Sequence, residues 1–142
     1  MVVEALLQIE TIRALHEEVL LPDNIAGERD GRLEGVHGRI ESRVYYLEVS
    51  DVFDVAAITG TYIAMGRAFV DGNKRTAFAC IDVILAAAGA PLEYTQSPDE
   101  DPLFSMIIQC AQGLRDESHL ADYLRDRYIK SAGLTMPGDK SE

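Results

Sequence analysis

The sequence predicts an all-α protein, a single-domain helical bundle with a motif-bearing helix at its centre, and three observations carry that prediction. Apolar residues recur at helical spacing in successive segments, each closed by glycine or proline. Only one short piece, Leu92-Glu93-Tyr94, reads as extended, and it suits no more than a minor strand. No linker or internal repeat divides the 142 residues, and their 47% hydrophobic content is enough for one core without staples. The domain is expected over residues 1–133, with 134–142 as a flexible tail around Met136-Pro137-Gly138.

The elements follow in order. Ile9, Ile12, Leu15, His16 and Val19 share a helical face that ends near Pro22, and His16 on that face reads as a partly buried structural histidine. Pro22 to Gly31 has loop chemistry. Leu33, Val36, Ile40 and Val44 mark a second helix over Arg32 to Tyr46, which Gly35 and Gly38 are expected to interrupt or bend. Its Arg32, Arg39 and Arg43 alternate with Glu34 and Glu41, as on a solvent-facing, salt-bridged helix.

Ser50 looks like the cap of a third helix, with Asp51 and Asp54 in its first turn and an apolar course through Val52, Ala56, Ile63 and Met65. Met65 and Phe69 are expected to anchor the following turn in the core. The run from Lys74 to Ala88 is apolar nearly all round and stops at Gly89 and Pro91, which marks the central helix. Ser97-Pro98-Asp99-Glu100-Asp101 carries the start signals of a helix ending near Gln112-Gly113, and Glu117 to Lys130 forms the last one.

Composition narrows the functional classes. A net charge of −11 argues against direct nucleic-acid binding, which calls for a basic face. No apolar run reaches membrane-spanning length and the start is not cationic, so a cytoplasmic location is expected. Cys80 and Cys110 each sit in apolar segments and read as buried free thiols.

The chemistry gathers in Gly66-Arg67-Ala68-Phe69-Val70-Asp71-Gly72-Asn73-Lys74-Arg75-Thr76. Gly72-Asn73 suits a tight turn, and the next residues open a helix whose unpaired N–H groups and partial positive charge attract phosphate. Lys74 and Arg75 add cationic charge there, and Asn73 adds donor or acceptor contacts. Asp71 is the stretch's one carboxylate and is placed for a hard divalent ion such as Mg²⁺, which binds through one or two carboxylates and the nucleotide's phosphates. A Walker-type glycine loop is absent.

Phe69-Val70-Asp71-Gly72-Asn73-Lys74-Arg75-Thr76 resembles the signature of the Fic/Doc superfamily, His-x-Phe-x-Asp/Asn-Gly/Ala-Asn-Lys/Gly-Arg. Lys74 and the short chain resemble its Doc (death-on-curing) branch, the toxins of type II toxin–antitoxin modules, as do Asp30 to Glu34 and Gly38 to Val44. The resemblance implies an all-α bundle in which Asp71 holds Mg²⁺, Gly72, Asn73, Lys74 and Arg75 hold the phosphates of ATP, and Phe69 anchors the loop. It further implies transfer of phosphate to a hydroxyl of translation elongation factor Tu, which blocks translation, with a Phd-type antitoxin as partner. The alternatives are the AMP transfer typical of Fic relatives, or a pseudo-enzyme that binds nucleotide or antitoxin without reacting. An inhibitory Ser/Thr-x-x-x-Glu-Gly/Asn element, carried by some relatives, is not evident, since Asp30 to Gly35 lacks the hydroxyl.

The departure is Arg67, which stands where the family has its general-base histidine. A guanidinium has no acceptor with which to take the hydroxyl proton, and a general base contributes about 10² to 10⁴ in rate. Chemistry is therefore expected to be impaired while nucleotide binding survives. Selected or deliberate inactivation of a toxin, and a natural pseudo-enzyme, both fit Arg67; the intact binding positions favour the first.

Overall fold

The helix that leads into the motif is the one around which the others pack. The structure, a computed structural model, describes residues 2–47, 49, 51–94 and 96–133. Among these the helices are α1 (Ile9–Val19), α2 (Arg32–Tyr46), α3 (Val52–Gly66), α4 (Asn73–Ala87), α5 (Pro102–Ala111) and α6 (Glu117–Ser131), with 3-10 turns at Val2–Ala5 and Pro98–Glu100. α3 touches α2, α4, α5 and α6, whereas α4 lies between α1, α3 and α5.

The reason α3 can take so many neighbours is its run of small residues. Ala56, Ala57, Thr59, Gly60 and Ala64 are all buried. At Gly60 an added Cβ would stand 2.5 Å from Ile81 Cδ1 and 2.9 Å from its Cγ1, so a larger residue would force the Ile81 side chain of α4 to shift. α3 and α4 thus pack closely, with the Ile81 side chain of α4 filling the space over Gly60.

α2 buries Leu33, Val36, Ile40 and Val44, the stripe that the spacing predicts. Gly35 and Gly38 do not break it, contrary to expectation. Both lie on the exposed face. The helix is held by packing on the opposite face, which overrides the roughly 1 kcal/mol propensity cost of each glycine. Two of the arginines of this helix are engaged within the protein: Arg43 binds Glu117 at 2.6 Å, and Arg32 stands 3.5 Å from the Gly66 carbonyl at the end of α3, while Arg39 is exposed.

Two helix starts differ from the sequence reading. α3 is capped by Asp51, whose Oδ1 accepts the Asp54 N–H at 3.0 Å; Ser50, the expected cap, lies outside the described residues. Asp51 also takes a two-pronged contact from Arg125 at 2.8 and 3.1 Å, which ties α6 to the start of α3. Ser97 and Pro98 open only a 3-10 turn, and α5 starts at Pro102 with Asp101 as cap. Asp101 wins because its carboxylate, 3% exposed, accepts the Leu103 N–H and two bonds from Arg127 together. Burial alone would raise its pKa, but Arg127 and the Leu103 N–H hold it below the usual carboxylate range.

Leu92 to Tyr94 is irregular rather than a strand. The carbonyl of Glu93 accepts from Arg127 at 2.8 Å, which leaves no ladder to build. α6 opens with a reciprocal box between Asp116 and His119 and buries Leu120, Ala121 and Leu124. Cys80 and Cys110 are free and buried, as expected. No helix among the described residues is long and apolar enough to cross a membrane. The expected tail, 134–142, lies outside them.

Candidate active site

The motif is a turn between two packed helices, stitched down from three sides. α3 ends at Gly66, and Arg67 follows in the left-handed region with φ 52° and ψ 42°; among the described residues it is the one non-glycine with positive φ. The strain turns the chain sharply out of α3, and the Arg67 side chain is exposed. Ala68 and Phe69 then plunge into the core, Phe69 being 1% exposed.

Phe69 sits in an isolated antiparallel bridge with Glu28. The bonds of that bridge flank Phe69: the Arg29 N–H donates to Ala68 O at 2.7 Å, and the Val70 N–H to Gly27 O at 3.0 Å. Phe69's own N–H and C=O therefore point the other way. Asn73 satisfies both, its Oδ1 accepting the Phe69 N–H at 3.0 Å and its Nδ2 donating to the Phe69 carbonyl at 2.9 Å. One carboxamide plays the part of a second strand, and Asn73's side chain is thereby committed to the loop. What Asn73 offers an anion is its backbone N–H at the helix start.

His16 of α1 closes the third side. Its ring stacks on Phe69 with centroids 3.7 Å apart and planes 8° from parallel. Nε2 lies 2.7 Å from the Asp71 carbonyl, an acceptor, so this nitrogen carries the hydrogen and donates. The histidine is 4% exposed, in keeping with the structural role read from its spacing. Gly72 lies against the same ring: its φ is 85°, and an added Cβ would come within 3.4 Å of His16 and Leu20. Met65, expected to anchor the turn, is 47% exposed; the anchoring falls to Phe69 and His16, because Met65 lies on the last turn of α3, where the face it shares with buried Ile58 and Thr61 is no longer covered.

α4 then starts at Asn73. The first N–H to bond back is that of Thr76, to Gly72 O at 2.9 Å, reinforced by Thr76 Oγ1 at 2.7 Å on the same carbonyl. The N–H groups of Asn73, Lys74 and Arg75 remain at the end of the helix, where its dipole is positive. Asp71 stands beside them with Oδ2 accepting the Ile25 N–H at 2.7 Å and Oδ1 without a hydrogen bond among the described residues. Lys74 is exposed and pairs with no carboxylate among the described residues, while Arg75 is paired with Asp99. Asp71, Gly72, Asn73, Lys74 and Arg75 together line a cavity of about 280 Å³, so the sequence-predicted binding residues converge; Arg67 is not among its lining residues.

An adjoining cavity of about 350 Å³ shares Leu21, Arg75 and Phe104 with the first and is lined further by Phe78, Tyr94 and Asp82. Tyr94 donates to Asp82 at 3.1 Å; its pKa is raised, first by burial and then by that carboxylate. Sequence reasoning did not single out Ile25, Leu21, Asp99 or Phe104 for this site. The loop from 22 to 31 was legible as a loop, but nothing local in it announces a pairing with residues 68–70. Arg13 holds that loop in place through Glu28 at 2.6 Å while also binding Glu10 and Glu34.

The donor set suits a single-carboxylate Mg²⁺ site completed by phosphate oxygens: one free carboxylate oxygen beside a cationic helix start. No group of three or more candidate metal-ligating side chains is found among the described residues, so an all-protein metal cage is not what the fold offers here.

Comparison with known proteins places the chain in a family. Residues 6–85, from the end of the first 3-10 turn to Leu85 of α4, match the model of the Fic/DOC family. The chain is also 34% identical over 121 residues to the "Protein kinase doc" of Escherichia phage P1, covering 84% of this chain and 92% of that protein. With the helical bundle, the loop stitched over the start of α4 and these matches in hand, the chain belongs to the Fic/Doc family.

Proposed function

We propose that this protein is the toxin of a type II toxin–antitoxin module, built to transfer the γ-phosphate of ATP to a hydroxyl of translation elongation factor Tu and impaired in that step by Arg67. The observation that carries the reading is the start of α4, where Asn73, Lys74 and Arg75, whose N–H groups open the helix, line one cavity together with Asp71. Its similarity to a relative named as a protein kinase supports phosphate rather than AMP as the group moved.

In the step itself the hydroxyl oxygen forms a bond to γ-phosphorus, the bond to the ADP leaving group breaks, and the hydroxyl proton must go to a base. Asp71 would hold Mg²⁺, which when bound neutralises phosphate charge. The α4 N–H groups and Lys74 orient the phosphates, and Asn73 keeps Phe69 and the turn rigid so that these donors stay aligned. Arg67 stands at the position of the missing base and adds positive charge without accepting a proton. A Phd-type antitoxin is the partner that fits this class.

Transfer of label from ATP tests the proposal. An Arg67→His variant should carry γ-phosphate label onto elongation factor Tu, faster than the parent chain by about 10² or more. α-Phosphate label on the target would show AMP transfer instead. No label of either kind, from a folded variant that binds nucleotide, would remove the transferase reading in favour of a non-catalytic binding protein. Expression of Arg67→His should likewise arrest growth where the parent chain does not.

A further inference from the structure

We infer that Asp99 is an internal competitor for phosphate at Arg75 and so sets the affinity of the site for anionic ligands; this inference rests on the nucleotide-binding reading above. Arg75 lies on the first turn of α4, next to the unbonded N–H groups, and lines both the polar cavity and the adjoining aromatic one. It is the natural second cation for a polyphosphate beside Lys74. In the structure its guanidinium is instead paired with the Asp99 carboxylate.

The pairing is presented by a fixed turn rather than by a loose side chain. Asp99 sits within the 3-10 turn Pro98–Glu100. Directly after the turn, Asp101 caps α5 and binds Arg127 at 2.6 and 2.9 Å. Before it, Ser97 donates to Glu100 at 3.2 Å. These contacts hold the turn that carries Asp99, and its carboxylate meets the guanidinium of Arg75, which lines both cavities. A carboxylate and a phosphate oxygen make the same kind of charge-assisted bond to a guanidinium, so an incoming phosphate must displace Asp99 or accept its repulsion. Either way the site loses affinity that Arg75 could otherwise contribute. The side chains of Arg75 and Asp99 are 25% and 43% exposed, so solvent screens the pair and the handicap is moderate.

The test is calorimetric titration of the full chain with magnesium–ATP at low ionic strength. Asp99→Asn, which keeps the shape and a hydrogen-bond acceptor but not the charge, should tighten binding about three- to five-fold. Asp99→Ala should do the same, and thermal melting of both checks that the turn is intact. In an Arg75→Gln background the Asp99→Asn substitution should change affinity less than about 1.5-fold, because the competed cation is gone. Binding detected only after removal of Asp99 would also support the inference. Unchanged or weaker binding by a folded Asp99→Asn protein, with the parent chain binding normally, overturns the inference and leaves the proposed function standing. An equal gain in the Arg75→Gln background would reduce Asp99 to a general charge effect and overturns it too. If neither the parent chain nor any Asp99 variant binds magnesium–ATP, the nucleotide reading falls and takes the inference with it.

Discussion

Replacing Asn73 by alanine should loosen the whole motif, and the structure sets the size of the effect. Asn73 holds both backbone groups of Phe69, at 3.0 and 2.9 Å, and Phe69 is 1% exposed. The bridge to residues 27–29 uses only the flanking groups of Ala68 and Val70, so nothing else is placed to take over. Removing the carboxamide leaves a donor and an acceptor unpaired and poorly reached by water, at about 1–3 kcal/mol each. Partial relaxation of the loop brings the expected total to about 2–4 kcal/mol. For a chain of this length that is a drop of about 6–12 °C in Tm. Asn73→Asp should be nearly as damaging, because it keeps the acceptor for the N–H but turns a carboxylate oxygen toward the Phe69 carbonyl. Thermal and urea denaturation measure the loss, and amide hydrogen exchange locates it. The Phe69 N–H should exchange much faster in the variant while amides in the middle of α3 follow the global stability. An Asn73→Ala protein that melts within 2 °C of the parent, with Phe69 still protected, would refute the claim that the side chain stitches the loop.

Further outcomes follow from other features. Arg67 holds a left-handed conformation with an exposed side chain, so Arg67→Gly should stabilise the fold by about 0.5–1 kcal/mol, read as a small rise in Tm, and no rise would show the turn to be unstrained. Asp116 caps α6, and its pKa is lowered to about 2 by the His119 N–H and then by the Ser118 hydroxyl. Its charge therefore stabilises the protein above about pH 4, near the value of an unfolded carboxylate, and that contribution is lost as pH falls toward 2. The urea midpoint of the parent should exceed that of Asp116→Asn above pH 5 and converge with it between pH 4 and 2; a gap unchanged at pH 2 would exclude the charge as its cause. Burial pushes the Cys80 thiol up to about 12, so a thiol reagent at pH 8 should label Cys80 only after denaturant is added. Rapid labelling of the native protein at that position would show that the core around α4 opens.

The helical elements were largely legible because they depend on local patterns. The stripe Leu33, Val36, Ile40, Val44 named its own buried face, and the structure buries those four residues. The turn-to-helix geometry of the motif was legible for the same reason: Gly72 must tolerate positive φ, and the residues after it must start a helix. Caps were less secure, since Asp101 prevails over Ser97 through Arg127, a partner 26 residues away. Met65 misled because periodicity says which face a residue shares but not where the helix ends its contact with its neighbours.

By itself, then, the sequence determined the fold class, the order of helices and the set Asp71, Gly72, Asn73, Lys74 and Arg75, since helix periodicity, turn chemistry and charge are properties of neighbouring residues. The resemblance further implies that Arg67 stands at the position of the family's general-base histidine. Only the tertiary structure decided what these groups are free to do. It committed the Asn73 carboxamide to Phe69, brought His16 under the turn from 55 residues away, and gave Asp71 the Ile25 N–H across 46. It also set Asp99 against Arg75. Each of these pairings joins segments distant in the chain, and their geometry follows from how closely α3, with its small residues, lets α4 approach.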